Sequence, residues 1–194
     1  VELDDFYTRL QSGFARRGLS LPLPDIRHAA QREMRHYIQH AQRARDETTR
    51  DALRLECAGV LAAGVRERGH TLDWPPAAVR QVLMEAIVFR AFPETPEVLA
   101  KLHARGVPMG VLSNWDFGLS DELEKLDLRR YFRFVLTSAQ AGTEKPQRAF
   151  FERGLQNARR EYSALTAAQC HYLGDHYEKD VLGARAAGLT PLWL

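Results

Sequence analysis

Two carboxylates stand close together in residues 172–188, "YLGDHYEKDVLGARAAG": Asp175 follows Gly174 directly, and Asp180 comes after four intervening residues. Acids at a helix start can be caps, because the first backbone N–H groups there lack partners and attract negative charge. They are also the hard oxygen ligands that Mg²⁺ prefers. Upstream, "VLSN" ends in the hydroxyl of Ser113 and the amide of Asn114, and "GTEKP" carries the ammonium of Lys145 beside Pro146. A hydroxyl, a placed cation and a metal-binding acid suit phosphoryl transfer, in which negative charge spreads over nonbridging oxygens. Each residue also has a plainer reading: Ser113 satisfying strand-end backbone, Lys145 in solvent, Asp175 as a cap.

Only elements that converge can bring these groups together. From Pro93 onward helices and strands alternate. "TPEVLAKLHARG" reads as a helix and "PMGVLSN" as a buried strand. A helix through Leu119, Leu123 and Leu126 leads to the strand "FRFVLTS", and a helix at 150–158 leads to the strand "CHYLGD". A helix over about 177–187 and the run "TPLWL" complete the pattern. Such alternation predicts right-handed crossovers and a parallel sheet covered on both faces, with ligands beyond the carboxyl ends of the strands. Those ends are "SN", "TS" and "GD".

Residues 4 to about 90 show helical spacing throughout, and no strand is expected there. Phe6, Leu10 and Phe14 form one stripe. A second helix is predicted from Pro24 to Ala44, a third over 48–68 with Leu53, Cys57, Val60 and Leu61 inward, and a fourth after "WPP" with Val79, Val82, Leu83, Ile87 and Val88. The expected organisation is therefore an α/β chain: an all-α helical bundle at 1–92 and a Rossmann-like parallel-sheet core at 93–194.

Bulk properties narrow the function. Of the 194 residues, 45% are hydrophobic, enough for a buried core, and no apolar run reaches the length of a membrane helix. The net charge of +2 argues against nucleic-acid binding by charge alone. Two distant cysteines, Cys57 and Cys170, point away from a disulfide scaffold and toward the cytoplasm.

"VLSN", "EKP" and "GDHYEKD", in this order and at these places, resemble the second, third and fourth motifs of the haloacid dehalogenase-like hydrolase superfamily. "TPEVLAKLHARG" and "DVLGARAAGLTPLWL" agree with the flanks, and residues 1–92 resemble its inserted helical cap. The resemblance implies that Ser113, Asn114 and Lys145 bind the phosphoryl group and that Asp175 and Asp180 supply the acids of a Mg²⁺ site. It implies a phosphatase acting on a small phosphorylated substrate, because metal-independent dehalogenases of the superfamily lack the paired acids. A dehalogenase, a phosphoryl mutase and a non-catalytic binding protein stay open as alternatives.

The superfamily's first motif, a strand ending in a nucleophilic Asp with a second Asp two residues on, is not found. Only three residues precede Asp4, Phe6 stands where the second Asp belongs, and Arg90 occupies the nucleophile position in "AIVFRAF". A strand and its Asp motif are therefore expected ahead of Val1, lying between the "VLSN" and "YLGD" strands, with residues 1–3 as its exit; without them another segment must fill the gap, or the chain is an inactive remnant. The Arg- and His-rich run at 27–45 reads as a solvated helix face, Trp74 and Trp115 as packing residues, and Asp116 as a lesser candidate beside Ser113.

Overall fold

The computed structural model describes Glu2–Leu3 by backbone and residues 5–194 in full; Val1 and Asp4 lie outside the described residues. The chain divides into two units, Val1–Thr95 and Pro96–Leu194.

The first unit is built on four helices, α1 (Phe6–Ala15), α2 (Leu23–His40), α3 (Glu47–Glu67) and α4 (Pro76–Ala86). The predicted stripe Phe6, Leu10 and Phe14 is buried, and it joins Ile26, Leu61 and Leu83 in one core. Local chemistry sets the boundaries. Asp46 and Thr49 form a reciprocal capping box at the start of α3, with Thr49 N–H donating to Asp46 Oδ1 at 2.8 Å. Pro24 sits in the first turn of α2, where its missing N–H costs nothing. Gly64 lets α3 approach α2 closely, since a Cβ there would run into Ala29. Trp74 stacks on Phe14 with ring centroids 5.6 Å apart.

This half is not strand-free, contrary to the sequence pattern. β1 (Glu2–Leu3) pairs antiparallel with β2 (Phe89–Arg90). Two-residue strands show no alternation to read, and their partner lies at the other end of the unit. The run at 27–45 is laced with ion pairs to α3: His28 and Arg32 of α2 meet Glu67, while His36 of α2 and Arg43, just past its end, meet Glu56.

The second unit alternates as its sequence predicts, with one short helix, α7, that the pattern did not show: α5 (Thr95–Ala104), β3 (Gly110–Ser113), α6 (Leu119–Lys125), β4 (Phe134–Thr137), α7 (Ser138–Ala141), α8 (Arg148–Arg159), β5 (His171–Gly174), a π-helical turn (Tyr177–Leu182), α9 (Gly183–Ala186) and β6 (Thr190–Trp193). The strands form two parallel pairs, β3 with β4 and β5 with β6. In register, Ser113 lies opposite Thr137 and Gly174 opposite Trp193, so each pair ends level. Among the described residues β3 and β5 are not paired with each other. The Tyr172 hydroxyl reaches between them and donates to the Leu112 carbonyl at 3.1 Å.

Phe150 and Phe151 of α8 are fully buried. Phe151 meets the Tyr172 ring edge-on, and Gly154 allows α8 to sit against Leu112 of β3. The opposite face of β5 and β6 departs from the expectation of cover on both sides. Leu173 and Leu192, neighbours in register, are exposed among the described residues.

Candidate active site

Hydrogen bonds link the ends of β3 and β5 through the loop that carries Lys145. Asn114, just past the tip of β3, donates from Nδ2 to the Lys145 carbonyl at 3.0 Å and accepts the Lys145 N–H on Oδ1 at 2.8 Å. The Lys145 ammonium donates to Asp180 Oδ1 at 2.6 Å. The other Asp180 oxygen accepts the N–H of His176, the residue after Asp175, at 3.1 Å. The segments bearing Ser113, Lys145 and Asp175 are thus joined end to end in one network.

Its interior is dry. The Lys145 side chain is 13% exposed and that of Asp180 3%. The ammonium lies 5.7 Å from the centroid of the Tyr172 ring, a cation over an aromatic face. The Tyr172 hydroxyl stands 3.3 Å from Asp180 Oδ1. Burial first, then the negative charge of Asp180 and, more weakly, that of Asp175 push the phenol well above its ordinary value, so it stays a proton donor.

The turn after β5 explains the spacing of the two acids. His176, not Asp175, caps the π-helical turn, its ring nitrogen Nδ1 accepting the Lys179 N–H at 3.3 Å. Asp175 is exposed, and among the described residues its carboxylate has no hydrogen-bond partner; only its backbone carbonyl is engaged, by Trp193 Nε1 at 3.1 Å. The cap reading of Asp175 therefore fails. Asp180 is folded back under the strand end, where a Cβ on Gly174 would run into its carboxylate, so glycine is required there. The Ser113 hydroxyl is likewise without a partner among the described residues.

Asp116 serves structure: its buried carboxylate accepts the Gly118 N–H at 2.8 Å. The Trp115 peptide is held by Ser138, whose hydroxyl accepts its N–H at 3.1 Å and donates to its carbonyl at 3.2 Å. Sequence reasoning missed Tyr172, Ser138 and His176. Tyr172 alone left a signal, a polar-tipped residue sharing a strand face with Gly174.

The residues fit a Mg²⁺ ion in part. That ion binds through one or two carboxylates together with water and substrate oxygens. Asp175 offers such a carboxylate, whereas both oxygens of Asp180 already accept hydrogen bonds. Among the described residues no three His, Cys, Asp or Glu side chains gather as a ligand cluster.

The sequence profile of the haloacid dehalogenase-like hydrolases matches residues 70–194, well over half of the chain. The chain belongs to that family. A "haloacid dehalogenase-like hydrolase domain-containing protein 3" from Bos taurus is 44% identical over 85 residues, 44% of this chain and 32% of that protein. A "glyceraldehyde 3-phosphate phosphatase" from Methanocaldococcus jannaschii is 30% identical over 110 residues, 55% of this chain and 45% of that one. The chain thus matches under half the length of either relative. Among solved structures, the HAD-hydrolase YfnB from Bacillus subtilis, bound to magnesium, superposes with a TM-score of 0.67 over 100% of this chain and 85% of its own, at 15% identity. That last likeness is one of fold, the Rossmann-like α/β core of this family of hydrolases with a helical companion.

Proposed function

We propose that this chain is a Mg²⁺-assisted phosphatase acting on a small phosphate monoester in the cytoplasm, with residues 1–92 as an α-helical cap domain and residues 93–194 as the core domain. The observation that carries the reading is the buried Lys145–Asp180 pair at 2.6 Å, in a hydrogen-bonded network whose segments also carry Ser113 and Asp175, neither of whose side chains has a hydrogen-bond partner among the described residues. A cation held in a dry place stabilises developing negative charge far better than one in water, and it does so without reorganising. Lys145 neutralises the phosphoryl oxygens, Ser113 donates a hydrogen bond to one of them, and Asp180 with Tyr172 keeps the ammonium in place. Asp175 is the residue that would bind the metal directly, and Asp180 takes part by orienting Lys145 and the turn behind Asp175. A bound Mg²⁺ supplies Lewis-acid neutralisation of phosphoryl charge. The phosphatase names of relatives from two archaea, one of them a "ribulose-1,5-bisphosphate 5-phosphatase" from Halopiger xanaduensis, support the substrate class.

The test is a panel of phosphate monoesters and short halogenated acids, with Mg²⁺ added or chelated, on protein expressed from its whole reading frame. Phosphate release that stops on chelation is expected. Dehalogenation that survives chelation would overturn the reading in favour of a dehalogenase, and silence on both sets in favour of a non-catalytic scaffold.

A further inference from the structure

We infer that Asn114 is a positioning residue for Lys145, gripping its main chain on both sides and so setting where the ammonium stands. This rests on the phosphoryl-site reading above and gives Asn114, expected from the sequence to touch the phosphate, a different task. A primary amide can face the N–H and the C=O of one residue at once, donating to the carbonyl and accepting from the N–H. Asn114 makes both bonds to Lys145, at 3.0 and 2.8 Å, across 31 residues of sequence.

The consequence lies in the length of a lysine. Four rotatable bonds separate its Cα from the charge, so one contact at the ammonium leaves the backbone end free to swing. Here Asp180 holds Nζ at 2.6 Å, the ammonium lies 5.7 Å from the Tyr172 ring centroid, and Asn114 holds the Lys145 main chain. With both ends held, the charge is organised before any anion arrives, which is where such sites gain their rate. The same amide is covalently next to Ser113, so the hydroxyl and the ammonium are registered to each other by a single side chain. No other residue type serves as well at this position. Aspartate keeps the acceptor toward Lys145 N–H but sets a carboxylate against the Lys145 carbonyl, and leucine keeps the volume without either bond.

The test uses Asn114→Leu and Asn114→Asp and reads two quantities: hydrogen exchange at the Lys145 amide, and calorimetric affinity for inorganic phosphate with Mg²⁺ present. Exchange should speed at least about tenfold in Asn114→Leu and stay slow in Asn114→Asp, which retains the acceptor. Phosphate affinity should fall about tenfold in Asn114→Leu, and this loss should vanish when the change is made on a Lys145→Met background. A merely structural role would give additive losses; additive losses, or unaltered exchange at Lys145, overturn the inference. Wild-type protein that binds no phosphate would instead sink the phosphoryl-site reading. Exchange alone then decides about the clamp, upheld if it speeds in Asn114→Leu and lost if it does not.

Discussion

The Lys145–Asp180 pair joins segments 35 residues apart and holds two charges out of water. Such a pair gains little over an apolar substitute, but removing one partner strands the other, at a cost of about 3–5 kcal/mol. Asp180→Asn should therefore lower unfolding free energy in urea by about that much, and a loss under about 1 kcal/mol would mean that the ammonium has relaxed into solvent. The same change should cut turnover about 10²–10³-fold, because the cation loses its anchor. At this scale the sequence identified residue types and their grouping, and the partners came only with the structure. Nothing in "GDHYEKD" separates an acid left open, Asp175, from one folded inward, Asp180. The difference arises because His176 caps the turn and Gly174 leaves room beneath the strand end.

Among the elements, the handover from β5 to the π-helical turn decides the site. A π-turn widens the helix start, a geometry often met at functional sites. Here it goes together with Asp180 reaching back to the His176 N–H at 3.1 Å. Gly174→Ala would push a methyl group into that carboxylate. The expected result is a loss of about 1–3 kcal/mol in a thermal or urea melt. Phosphate affinity should fall with it, because the Lys145 anchor shifts; an unchanged affinity would show that the anchor tolerates displacement. The alternation of helices and strands in the second unit was legible from hydrophobic runs and glycine stops. The β1–β2 pair was not, because two residues carry no period. Nor was the open face at Leu173 and Leu192, since a pattern shows that a strand face is apolar without showing what covers it.

Across the whole molecule, acid–base balance concentrates in the helical unit. His70 and Arg68 hold Asp25 below its ordinary value, Arg43 and His36 do the same for Glu56, and Arg32 and His28 for Glu67. Groups with depressed folded values contribute stability above their unfolded values near about 4, and that contribution is lost as pH falls through the folded ones. Glu33 runs the other way. Burial raises its value, against smaller opposing effects from Cys57 and Arg54, so folding favours its neutral form and stability declines as pH rises through the raised value. Urea midpoints measured from pH 3 to pH 8 should therefore fall at the acid end, and Glu33→Gln should remove the part of the decline that sets in above the ordinary carboxylate value. Parallel curves for wild type and Glu33→Gln would contradict the burial of an ionisable Glu33.

The sequence by itself determined the class of the chain, the main helices and the alternation of helices and strands that ends in "SN", "TS" and "GD", because periodicity and turn residues are local properties. The tertiary structure alone decided which polar groups face one another. Asn114 meets Lys145 across 31 residues, Asp180 meets Lys145 across 35, and Tyr172 meets Leu112 across 60. Contacts at such separations follow from packing: Gly154 allows α8 onto β3, Phe151 backs Tyr172, and Gly174 admits Asp180. The places of Asp175, Lys145 and Asn114 relative to one another are set by that packing.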